Sequence, residues 1–86
     1  MARILVVDDK DLMRESMELT LRRNGHAVGT ATDGRAALDA LAGARFDLVV
    51  TDLKMPGMTG LELLEQLKAK WPDTEVVLIT AFGTID

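Results

Sequence analysis

The chain has 86 residues, 48% hydrophobic and 28% charged, a balance that excludes a disordered or fibrous polymer and fits one small globular domain with little core to spare. Fourteen acidic residues outweigh ten Lys and Arg, for a net charge of -4, and no basic cluster occurs, which argues against duplex nucleic acid as this segment's own partner. Cysteine is absent, which excludes disulfides, thiolate metal sites and cysteine nucleophiles.

The first apolar run, Ile4-Leu5-Val6-Val7, is closed by Asp8 and Asp9. It is too short for a secretory or membrane segment, so a cytoplasmic location is expected, and it reads as a strand covered on both faces. A helix follows from about Asp11 to Arg23, where Met13, Met17 and Leu21 recur at a spacing of four and predict a buried stripe. Asn24-Gly25 stops that helix, and His26 to Ala31 is a weaker, more polar run that predicts an outer strand. A second helix from about Gly34 to Ala44 presents Ala37, Leu38 and Leu41. Leu48-Val49-Val50 is the next buried strand, and Asp52 stands where it runs out. Gly57 and Gly60 mark a tight turn before a third helix, from about Gly60 to Trp71, which presents Leu61, Leu64 and Leu67 and is stopped by Pro72. Val76-Val77-Leu78-Ile79 is a fourth strand, and Thr84 has the character of an N-cap for a further helix.

Alternating strands and helices with short connections and right-handed crossovers predict an α/β fold with a parallel sheet between helical layers. Ligands of such sheets bind beyond the carboxyl ends of the strands. The residues there are Asp8 and Asp9 after the first strand, Asp52 after the third, and Thr80 with Ala81 after the fourth. Acidic residues after strands also serve as helix N-caps, and Asp9 or Asp11 could do so for the first helix. Three carboxylates gathered at one edge call for a cation, and an oxygen-only ligand set suits a hard divalent ion such as Mg²⁺, which leaves room for phosphate oxygens. Asp52 would then be ligand and nucleophile together.

The stretches ILVVDDKDLMRESM, FDLVVTDLKMPGMTGLELL and VVLITAFGTID resemble the receiver domain of bacterial two-component response regulators over the whole chain. That resemblance implies a flavodoxin-like doubly wound sheet in which a sensor histidine kinase hands a phosphoryl group to an aspartate with Mg²⁺ bound. By motif position it makes Asp52 the phosphoacceptor, Asp9 a direct Mg²⁺ ligand, Asp8 a ligand through water, and Met55 a ligand through its backbone carbonyl. Thr80 matches the switch hydroxyl and Ala81 the small residue that gives the phosphoryl group access. Lys10 occupies a position where many relatives carry an acid. The family's domain continues with a fourth helix, a fifth strand ending in a lysine, and a fifth helix. Residues 1–86 are accordingly read as a receiver cut after the fourth strand, with strand order 2-1-3-4.

The fourth strand would then offer an exposed edge for self-association. The ending ITAFGTID resembles receivers of the NtrC kind, which implies ATPase and DNA-binding output domains elsewhere in a parent protein. Such a receiver is not an enzyme beyond its own phosphorylation and dephosphorylation. A second reading is an interaction fragment that does not switch and acts only by self-association or partner binding. A third, an aspartate-nucleophile phosphatase, would place a general acid two residues past Asp52, where Lys54 stands. His26, the only histidine, lacks neighbouring ligands and reads as a surface residue; Trp71 reads as packing for the end of the third helix; and Thr51 should point away from the site.

Overall fold

The computed structural model of the chain describes residues 1–79. Its elements follow as β1 (Arg3–Val7), α1 (Asp11–Arg23), β2 (Ala27–Ala31), α2 (Gly34–Gly43), β3 (Leu48–Asp52), α3 (Gly60–Lys70) and β4 (Glu75–Ile79). All the pairings are parallel and the sheet runs β2-β1-β3-β4, the flavodoxin-like order expected from the sequence. The predicted fourth helix and its Thr84 cap lie outside the described residues.

β1 reads as a continuous apolar run because both of its faces are covered. Leu5 and Val7 join Val49 and the inner residues of α2 and α3 in one buried cluster, while Ile4 and Val6 join Val28 and Val50 beneath α1 in a second. β2 starts at Ala27 because the His26 N–H is taken by the Leu21 carbonyl in the turn that closes α1, and His26 Nδ1 accepts from the Ala2 N–H. Trp71 is the C-cap of α3 and packs half-buried against the first cluster, as expected.

Two predicted helix faces need correction. Met17 and Leu21 rest on the second cluster, but Met13 is 48% exposed and no residue of α1 is buried. A spacing of four turns by about 40° per step, so Met13 stands about 80° around the helix from Leu21, at the exposed margin of the face that Met17 and Leu21 turn to the core. In α3 the inner face is Gly60, Leu63 and Leu67; Leu64 is half-buried and Leu61 is 55% exposed. The face is phased by a glycine, which adds no apolar side chain to the pattern and so escapes a periodicity count.

The predicted caps of α1 do not form either. Its N-cap is Lys10, without a side-chain bond, and Asp11 sits in the first turn paired with Arg14. α2 is capped by Asp33, which accepts from the Ala36 N–H at 2.8 Å, and α3 by a reciprocal Thr59 and Glu62 capping box. β4 stands at the sheet edge among the described residues, and none of its side chains is fully buried, although Val76 and Ile79 pack on the two clusters.

Candidate functional site

The carboxyl end of β1 is held by its own backbone. The Asp8 N–H donates to the Ala31 carbonyl at 3.1 Å, which prolongs the ladder with β2 by one residue and draws Asp8 into the interior. Its Oδ1 accepts from the Lys10 N–H at 2.9 Å, turning the chain toward α1. Arg14, one turn into α1, closes the loop from above: Nη1 donates to the Asp8 carbonyl at 2.9 Å while Nη2 pairs with Asp11. Asp9, next in the chain, therefore emerges at the surface.

β3 ends beside it, since β1 and β3 are direct neighbours with Val7 opposite Thr51. Asp52 is the last residue of β3, and the chain leaves through a turn in which Gly57 takes a positive φ of 80°, open to glycine at little cost. Gly60 returns the chain against the strand end, its N–H donating to the Leu53 carbonyl at 2.9 Å. A Cβ on Gly60 would lie 2.5 Å from the Asp52 carbonyl oxygen and 2.9 Å from Leu53 Cα, so only glycine lets α3 begin this close to Asp52.

Asp8, Asp9 and Asp52 each bring a carboxylate oxygen within 4.8 Å of the others. The expected acidic cluster is thus assembled by adjacent strand ends. Asp52 is only lightly held: Oδ1 accepts from the Lys54 N–H at 3.3 Å, and Oδ2 faces Lys10 Nζ at 3.3 Å. Lys10 also reaches Asp9 Oδ1 at 3.7 Å. The hydrogen bond to Asp52, then the charge of Asp52 and that of Asp9, raise the Lys10 ammonium above the ordinary lysine range, so it stays charged at neutral pH. One ammonium against three carboxylates leaves the cluster net negative. Its donor set is oxygen only, with Asp8 buried, Asp52 half-buried and Asp9 exposed, which fits a hard divalent ion that retains part of its hydration shell.

Met55 lies in the turn after β3 with its side chain buried in the first cluster, so it could serve a metal only through the backbone. Thr51 is fully buried; its Oγ1 donates locally to the Asp52 carbonyl and touches the Met55 sulfur at 3.9 Å, away from the carboxylates as expected. Thr80 and Ala81 lie outside the described residues. Sequence reading did not find the reach of Lys10 into the site, nor Arg14 as the clamp of its loop. The adjacency of Lys10 to the acidic pair was the available signal for the first.

The family model described as response regulator receiver domain matches residues 4–86. The chain belongs to the receiver domain family of two-component response regulators. Among the curated relatives of this receiver is the response regulator MprA of Mycolicibacterium vanbaalenii, 47% identical over 83 residues that cover 96% of the chain and 36% of MprA. Another is the transcriptional regulatory protein QseB of Haemophilus influenzae, 38% identical over 98% of the chain and 38% of that protein. The receiver thus spans little more than a third of the length of these relatives. The solved response regulator TrrA of Thermotoga maritima, in complex with Mg²⁺-BeF, superposes with a TM-score of 0.89 at 40% identity, over 94% of this chain and 70% of that one. TrrA in complex with the histidine kinase ThkA gives 0.88 at 39% identity, over 95% and 71%. No helix among the described residues of the receiver is long and apolar enough to cross a membrane.

Proposed function

We propose that this receiver accepts a phosphoryl group on Asp52 from a sensor histidine kinase and relays its phosphorylated state to an output that regulates transcription. The observation that carries the reading is the convergence of Asp8, Asp9 and Asp52 at the carboxyl ends of β1 and β3. Asp52 is the nucleophile: a carboxylate oxygen forms the new bond to phosphorus while the nitrogen–phosphorus bond of the donor phosphohistidine breaks, its electron pair staying on the imidazole. The Lys54 N–H on Oδ1 orients the carboxylate for attack. Asp8, held by the Lys10 N–H and by the Arg14 clamp on its carbonyl, keeps the neighbouring loop in place. Asp9, Asp52, the Met55 carbonyl and, through water, Asp8 would hold Mg²⁺, which when bound supplies charge neutralisation between carboxylate and phosphoryl group.

Phosphorylation replaces one charge by about two and adds acceptor oxygens. Thr80 is proposed as the hydroxyl that answers them and Ala81 as the small residue that leaves access. The kinase assignment is supported by the likeness to TrrA, solved with ThkA, and the transcriptional output by QseB and MprA. The finer assignment to an ATPase-type output of the NtrC kind rests on the ITAFGTID ending alone. We place the receiver in the cytoplasm and give it no catalysis beyond its own phosphorylation and dephosphorylation. The outer edge of β4, which has no strand partner among the described residues, supports self-association by strand pairing; a concentration-independent monomer in sedimentation would rule that out.

Incubation with a radiolabelled small acyl phosphate tests the phosphoacceptor. Labelling is expected with Mg²⁺, none with a chelator, and none in Asp52→Asn. Equal labelling of Asp52→Asn would overturn the assignment, and no labelling of either would leave the non-switching interaction fragment as the reading.

A further inference from the structure

The β1–α1 loop carries a group that the phosphotransfer reading does not require, an ammonium set among the acids from their own loop. Lys10 Nζ lies 3.3 Å from Asp52 Oδ2 and 3.7 Å from Asp9 Oδ1, between the two carboxylates assigned above as direct metal ligands. The loop backbone that carries it, Asp8 to Lys10, is fixed at three points. The Lys10 N–H donates to Asp8 Oδ1 at 2.9 Å, the Lys10 carbonyl accepts from the Arg14 N–H at 3.0 Å, and Arg14 Nη1 holds the preceding Asp8 carbonyl. The side chain beyond that anchor is 64% exposed, and both of its ion pairs are long. A fixed base with a free, weakly held arm is the arrangement of a displaceable counter-ion.

We propose that Lys10 is an intrinsic antagonist of divalent-cation binding: its ammonium occupies the Asp9 and Asp52 carboxylates when no metal is bound and must swing into solvent when a metal takes them. The inference rests on the metal-site reading of the three aspartates and adds to it a competition set by this chain's own sequence. Two physical effects act in the same direction. The ammonium takes up an Asp52 oxygen that a cation would use, and its positive charge repels a second cation from any position among the carboxylates. Because the arm is exposed, its antagonism is screened by salt.

Titration calorimetry with Mg²⁺, at low ionic strength and neutral pH, measures the effect on the intact chain. Lys10→Met, which keeps the length of the arm and removes its charge, should bind Mg²⁺ about two- to fivefold more tightly than the unaltered chain, the scale of one exposed ion pair. Lys10→Arg, which keeps the charge, should stay near the original affinity. The gain in Lys10→Met should shrink as salt is raised, and the Lys10 Cε resonance, identified by its loss in Lys10→Arg, should move during the titration. A purely structural role for Lys10 would move neither the salt dependence nor the resonance. Equal or weaker Mg²⁺ binding by Lys10→Met would overturn the antagonism while leaving the acidic metal site intact. Absence of Mg²⁺ binding by both chains at millimolar concentration would overturn the metal-site reading as well.

Discussion

The two ends of β3 carry the same residue type in opposite roles. Asp47 stands just before the strand, and its groups are used to join it to its neighbours: Oδ2 accepts from the Arg3 N–H at 2.8 Å, its N–H donates to the Arg3 carbonyl at 2.8 Å, and its carbonyl accepts from the Glu75 N–H at 3.0 Å. It ties the starts of β1, β3 and β4 together, and the Arg3 guanidinium above the Phe46 ring completes the knot. Asp52 closes the same strand, yet its carboxylate has only a long bond from the Lys54 N–H and an exposed lysine arm, with two more carboxylates close by. At the amino end the carboxylate serves the fold. At the carboxyl end the fold is held by backbone bonds and a glycine contact, which leaves the carboxylate available for chemistry.

The largest effect that sharpens this contrast is expected from Asp52→Asn, which should lose all acyl-phosphate labelling while thermal unfolding shows no loss of stability. A marked drop in Tm would mean that Asp52 is a structural acid like Asp47. Gly60→Ala comes next. The added Cβ would push on the Asp52 carbonyl and should cost about 1–3 kcal/mol in denaturant unfolding, the range for overpacking, with slower labelling as Asp52 is displaced. Asp47→Ala should cost about 1 kcal/mol, the worth of an ordinary hydrogen bond, and leave labelling unchanged, the reverse of the Asp52→Asn pattern. The smallest effect belongs to Lys10→Gln. Its exposed pairs should contribute no measurable shift in Tm, so any change it makes should appear in cation binding alone.

Much of this was legible in the sequence, and the exceptions share a cause. β1 and β3 showed as unbroken apolar runs because both faces of each are covered, and the strand-end aspartates could be located once a parallel sheet was inferred. What escaped depends on distances between elements. The inner face of α3 is set by Gly60, whose importance arises only where the helix meets the end of β3, so Leu61 was expected inside and Leu63 was overlooked. Met13 was expected in the core because a spacing of four imitates a stripe over a short helix. Lys10 was visible beside Asp8 and Asp9, but its pairing with Asp52, forty-two residues away in the chain, follows from the adjacency of β1 and β3 and from the direction of one flexible side chain. The Thr59 and Glu62 box shows in the sequence only as a Thr-x-x-Glu pattern, in a turn that Gly57 and Gly60 already explain.

The most direct test of the central claim maps the phosphoryl group to an atom. After incubation with Mg²⁺ and a small acyl phosphate, borohydride reduction converts an aspartyl phosphate to homoserine, and peptide mass spectrometry reads its position. Conversion at Asp52 and at no other aspartate is the expected result. Conversion at Asp8 or Asp9, or at none of the three under conditions where the chain is folded, would contradict the assignment of Asp52 as the phosphoacceptor.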